Sequence, residues 1–124
     1  MKADYTRVIK MGALESFLTD HPKLAWVNVK GDSMTTDNGT SIPDGAKILM
    51  QMLPNDPFAI PIGKPVVIMG ETNGKPFLVC KLITFVDLVY NRVKCESLNK
   101  KYQPFWMPLS AVTSIYEVKD VDIS

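Results

Sequence analysis

The chain has 124 residues, with 14 lysines and arginines against 13 aspartates and glutamates and a net charge of +1. That length suits a single domain with one core, and a charge so near balance leaves no basic footprint for nucleic acid or an anionic membrane. No run approaches the roughly 18 apolar residues of a membrane span, and Lys2, Asp4, Arg7, Lys10 and Glu15 interrupt any signal peptide, so a cytoplasmic protein is predicted, with no membrane partner.

In chain order, Val8, Met11, Leu14, Phe17 and Leu18 recur at three- and four-residue spacing and predict a short helix ending before Pro22. Strand candidates rich in β-branched and aromatic residues follow: Ala25 to Lys30, Lys47 to Met52, Pro65 to Met69, Phe77 to Thr84, Leu88 to Ser97 and Ser114 to Val118. Asn38-Gly39, Asp44-Gly45, Gly63-Lys64 and Asn73-Gly74 separate them as turns. The stretch from Leu53 to Lys64, with Pro54, Pro57 and Pro61, reads as a surface excursion. With no helices between the strands, a mainly β fold of short, coiled antiparallel sheets is predicted rather than a parallel α/β sheet. Residues 1–22 would form the helix and a linker remnant, and residues 23–124 the β domain. Residues 80 and 95 lie on segments predicted to pair as a hairpin turning near Phe85 to Leu88, so Cys80 and Cys95 could face each other. Two cysteines without C-x-x-C spacing favour reduced, packed thiols.

The chemistry centres on Gly31-Asp32-Ser33-Met34 and on Lys81, set in Phe77-Leu78-Val79-Cys80-Lys81-Leu82-Ile83. Ser33 also fits a plain turn residue, and Lys81 an edge-strand charge that discourages aggregation. A serine hydroxyl needs a base that is unprotonated near neutral pH. Burial without a carboxylate partner lowers a lysine's pKa toward that range. No acidic residue lies within five positions of Lys81, the nearest being Asp87, and on a strand its same-face neighbours are Phe77, Val79 and Ile83. Gly31 lets the chain bend at the serine, and Met34 is expected to pack beneath the turn.

Other candidates carry less. His21, with Asp20 or Asp32, would be needed for a Ser-His-Asp triad, but its place beside Pro22 suits a cap or a solvated group. Asp32, Asp37 and Asp44 lack the spacing of a calcium loop. Phe105-Trp106, with Met107 and Pro108, reads as core or a dimer interface rather than an exposed patch. No cofactor or metal is expected.

Gly31-Asp32-Ser33-Met34, the turn Pro43-Asp44-Gly45-Ala46, the apolar strand with Lys81, and Ser97-Leu98-Asn99-Lys100-Lys101-Tyr102-Gln103-Pro104 stand in the order of the LexA-like family of self-cleaving domains, peptidase family S24. The chain resembles that family over about Leu14 to Val118. Ala46 departs from its pattern, standing where an acidic residue is usual, and the proline-rich stretch lengthens the path to the lysine. The resemblance implies the LexA/signal-peptidase-like fold and a Ser33 nucleophile with Lys81 as general base. It also implies an oxyanion hole from the backbone of Asp32 and Ser33, with Gly31 and Met34 supporting the turn and substrate groove. It implies a homodimer, with Ser114 to Val118 as a plausible contact, and a RecA filament as inducer in the SOS response. Transcription regulation would reach DNA only through a further N-terminal domain.

Such domains cut an upstream Ala-Gly or Cys-Gly bond, whereas this chain has Gly12 as its one glycine before Gly31; its own cleavage site is expected to be missing. A prophage repressor fragment is the favoured expectation. Leu18-Thr19-Asp20-His21-Pro22 resembles UmuD, which keeps open an accessory subunit of a translesion polymerase. A non-catalytic dimerisation module is the third alternative. Membrane-anchored type I signal peptidases share the chemistry, but no anchor is read in this chain.

Overall fold

The computed structural model describes residues 8–9, 23–36 and 41–123. Alternation of buried and half-exposed residues, the period-two signature of a strand with one covered face, runs through Leu24–Asn28 and Arg92–Glu96. Among the described residues the eight strands are β1 (Val8–Ile9), β2 (Leu24–Asn28), β3 (Lys47–Met52), β4 (Pro65–Thr72), β5 (Lys75–Asp87), β6 (Arg92–Glu96), β7 (Phe105–Pro108) and β8 (Val112–Asp122). They form one sheet in the order β1-β2-β3-β8-β4-β5-β6-β7. Every neighbouring pair is antiparallel except β1 with β2. The mainly β expectation holds.

Both faces of the sheet are covered. Val67, Met69, Leu78 and Cys80 belong to one buried cluster with Val27, Met34, Ile48, Met50 and Tyr116. Val66, Ile68 and Ile83, on the opposite faces of the same strands, belong to a second with Val93, Cys95 and Met107. This explains why Val66 to Gly70 are all buried in β4, the pattern of a central strand rather than an amphipathic one.

Turn chemistry sets the hairpins. Asn73 and Gly74 both have positive φ, 53° and 78°, and connect Thr72 to its partner Lys75. Two central residues with positive φ match the right-handed twist of the flanking strands. The β5–β6 turn lies at Leu88 to Asn91, later than the sequence suggested, because the Asp87 carboxylate accepts from the Val89 and Tyr90 N–H groups at 3.0 and 3.1 Å. Its other oxygen meets Arg92 Nε at 3.1 Å, and Asp87 pairs with Arg92 across the strands.

The shift overturns the facing cysteines. Cys95 pairs with Ile83, Cys80 pairs with Val67, and both thiols are buried and free.

Other expectations also change. Val8 and Ile9 form a strand, so the predicted helix does not begin at Val8; its remaining residues lie outside the described ones, as do Asp37 and His21. β5 and β8 run to 13 and 11 residues, longer than short strands, since each pairs with one neighbour along one part of its length and with a second along the rest: β5 with β4 and then β6, β8 with β4 and then β3. Phe105 and Trp106 lie on the edge strand β7, not in the core, and remain 41% and 40% exposed. There Arg92 stacks 4.0 Å over the Trp106 ring, and Phe85 meets that ring edge-on at 6.2 Å. Residues 114–118 lie inside the sheet, between β3 and β4: Tyr116 and Glu117 pair with both, Ser114 and Ile115 with β4 and Val118 with β3. Lys81 is likewise on no edge, because β5 lies between β4 and β6.

Gly70 marks a close approach. A Cβ there would lie 2.0 Å from the Ala111 carbonyl oxygen and 2.5 Å from the Phe77 ring, beside a register irregularity with β8. Gly70→Ala is therefore expected to cost about 1–3 kcal/mol of unfolding free energy, read by urea denaturation. An unchanged midpoint would contradict this packing.

Candidate active site

β2 delivers the chain to the serine turn, and Gly31 turns it with φ +87°. Among the described residues, no atom beyond its chain neighbours lies within 4 Å of a Cβ at Gly31, so backbone conformation rather than space favours glycine. The Gly31 N–H donates to Asp44 Oδ1 at 2.9 Å, joining the serine turn to Pro43-Asp44-Gly45. That second turn is fixed by Val29 N–H to Ala46 O at 2.8 Å and Gly45 N–H to Val29 O at 2.9 Å. Ala46 is buried at 2% exposure within the core, where an acidic side chain would be desolvated without a partner. Met34 is fully buried, as expected beneath the turn, and its sulfur accepts from the Leu98 N–H at 3.5 Å.

Lys81 projects from the middle of β5. Phe77, Val79 and Ile83, its predicted same-face neighbours, all belong to or pack on the second cluster. Burial lowers its pKa from the ordinary lysine value, and the nearby Cys80 and Cys95 thiols oppose that shift only in part. Its amine donates to Ser97 Oγ at 3.0 Å. Ser97, 4% exposed, fixes one direction of the amine, and a neutral lysine keeps its lone pair for a proton from elsewhere.

A strap between β6 and β7, Ser97 to Tyr102, ties the two functional groups together. Asn99 donates its N–H to Ser33 O at 2.8 Å and its side-chain amide to Asp32 O at 3.0 Å. Lys101 pairs with Asp32 Oδ2 at 2.8 Å, and the Tyr102 hydroxyl donates to Asp32 Oδ1. These two partners, Lys101 first, hold the Asp32 carboxyl below its usual pKa. Asp32 is thus an anchored residue.

Ser33 and Lys81 line one cleft of about 300 Å³ together with Gly31, Met34, Leu78 and Tyr102. A larger cleft of about 450 Å³ between Leu53–Pro57 and Val112–Ile115 is lined, among the described residues, by no lysine or histidine to activate a nucleophile. The structure therefore brings together Gly31, Asp32, Ser33, Met34 and Lys81. Sequence reasoning assigned no role to Ser97, Asn99, Lys101 or Tyr102. Asn99 had a local signal, since an Asn that caps its own turn does so here by accepting from the Lys101 N–H at 3.2 Å.

Among the described residues no cluster of histidine, cysteine, aspartate or glutamate could hold a metal ion, and no helix is long and apolar enough to cross a membrane. No protein-family model and no curated protein matches the chain.

The lowered Lys81 pKa has a stability consequence. The unfolded chain binds the proton more tightly than the folded one, so this group's contribution rises with pH between the lowered native pKa and the unfolded value of about 10.4. Lys81→Met is expected to raise the denaturation midpoint at neutral pH, with an advantage that shrinks toward that upper limit. Cys80, pushed up to about 12, works oppositely: its contribution is intact below the unfolded thiol pKa near 8.5 and lost above it. The difference between Lys81→Met and wild type isolates the lysine; a difference independent of pH would contradict its burial as a charge.

Proposed function

We propose that the chain is a serine–lysine peptidase domain. Within that class it is read as the self-cleaving and dimerisation domain of a LexA-like prophage repressor. The observation that supports this best is the shared cleft of Ser33 and Lys81, in which burial, with no carboxylate partner among the described residues, lowers the lysine's pKa.

In the proposed reaction neutral Lys81 takes the Ser33 hydroxyl proton while Oγ forms a bond to a peptide carbonyl carbon. The carbonyl electron pair moves to oxygen, and the Asp32 and Ser33 N–H groups hold the oxyanion. Collapse breaks the C–N bond, with the Lys81 ammonium protonating the departing amine. Water then attacks the acyl-serine, giving one proton to Lys81, and the ester C–O bond breaks as Lys81 passes that proton to Ser33 Oγ, releasing a carboxylic acid and restoring both the serine hydroxyl and the neutral amine. The substrate is an upstream bond of the same polypeptide, a RecA filament the inducer and a second copy the dimer partner. DNA contact belongs to an N-terminal domain.

The full-length gene product incubated at about pH 9–10, where a lysine loses its proton more readily, should release this domain faster than at neutral pH. An intact chain at both values would count against the reading. The non-catalytic dimerisation alternative draws on the Lys81 bond to Ser97 rather than Ser33. A UmuD-like polymerase subunit would be distinguished by the upstream reading frame, where a helix-turn-helix decides for the repressor.

A further inference from the structure

The Tyr102 ring is a wall of the catalytic cleft and has a second relation to the site. Lys81 Nζ lies 5.8 Å from its centroid, within reach of the attraction between a cation and an aromatic face. The hydroxyl of the same ring is tied to Asp32, next to the nucleophile.

We propose that Tyr102 is a positioning residue whose tethered ring offers its face to the ammonium that Lys81 becomes when Ser33 gives up its proton. The inference rests on the serine–lysine reading above. A ring quadrupole attracts the ammonium and has little hold on the neutral amine, so the contact strengthens as the proton is transferred. Interactions of that kind accelerate a chemical step rather than merely binding substrate.

The surrounding charges leave the ring this role. From β5 itself Lys81 is faced by the Cys80 thiol, and from β6 by Cys95. The serine turn contributes Asp32, whose carboxylate is engaged by both Lys101 and Tyr102. Lys101 lies 5.4 Å from the same ring, but its ammonium is already paired with Asp32. The Ser97 hydroxyl holds the amine without carrying charge.

The test is a titration of Lys81 by NMR in protein labelled with ¹³C at lysine Cε, the resonance being assigned by its loss in Lys81→Ala. Tyr102 is 40% exposed and outside both buried clusters, so its replacement leaves the core intact. Tyr102→Leu removes the aromatic face and should lower the Lys81 midpoint by about half a pH unit. Tyr102→Trp, with the stronger face, should raise it. Covalent labelling of Ser33 by diisopropyl fluorophosphate should slow about 2- to 3-fold in Tyr102→Leu at a pH where Lys81 is neutral in both proteins. A merely structural role would not move the midpoint in opposite directions. Coincident midpoints in wild type, Tyr102→Leu and Tyr102→Trp would overturn the inference alone, whereas an ordinary lysine midpoint in wild type would overturn the peptidase reading beneath it.

Discussion

Replacing Ser33 with alanine is expected to slow release of this domain from the full-length gene product by about 10⁴-fold or more, the scale seen when a nucleophile or its base is removed from a catalytic unit. Lys81→Ala should fail to a similar degree, because a serine hydroxyl without a base is a weak nucleophile at neutral pH. The double variant should be scarcely worse than either single one, since the two groups act in the same proton transfer. Additive losses would mean that the residues contribute separately. Ser33 is half-buried at a turn and Lys81 is partly accessible, so neither substitution opens a large cavity. A loss of activity with an unchanged denaturation midpoint would separate chemistry from folding.

The second large effect is expected at Met34. Its side chain is fully buried in the cluster that joins β2, β3, β4, β5 and β8, directly after Ser33. Met34→Ala should cost about 2–5 kcal/mol, the sum of lost transfer energy and the cavity left behind. It also removes the sulfur that accepts from Leu98 N–H, while the Ile42 N–H bond to Met34 O at 2.7 Å involves only backbone. Met34→Leu keeps most of the volume and should cost less than about 1.5 kcal/mol. Equal losses for Ala and Leu in urea denaturation would show that the sulfur, not the filled volume, carries the effect.

Much of the fold was legible because its strands alternate and its turns use residues with clear backbone requirements. Lys47–Met52 coincides with the predicted strand, and Asn73-Gly74 closes the β4–β5 hairpin as expected. The β5–β6 turn was less legible because its determinant is the Asp87 side chain, which binds the backbone two and three residues ahead, while Leu88, Val89 and Tyr90 look like strand residues. β7 was missed since Pro104 and Pro108 bracket it and mask a short edge strand, where proline is tolerated.

The site divides in the same way. Gly31, Ser33 and the apolar setting of Lys81 are local features, and a strand pattern alone identified the lysine's same-face neighbours. Ser97 is invisible locally because its importance comes from standing across from Lys81 on a neighbouring segment. Tyr102 and Lys101 gain theirs through Asp32, 70 residues away from Tyr102 in sequence. Pairings over such distances depend on strand order, and the order β4-β5-β6-β7 is what returns this strap to the serine turn.

The proposed reaction depends on Lys81 activating Ser33. The most direct measurement is the pH dependence of covalent labelling by diisopropyl fluorophosphate, located by peptide mass spectrometry, in wild type and Lys81→Ala. An adduct on Ser33 is expected, with a rate of formation that rises through the lowered Lys81 titration and is lost in Lys81→Ala. Labelling of Ser33 at the same rate with and without Lys81, or no labelling of Ser33 at any pH at which the protein is folded, would contradict it.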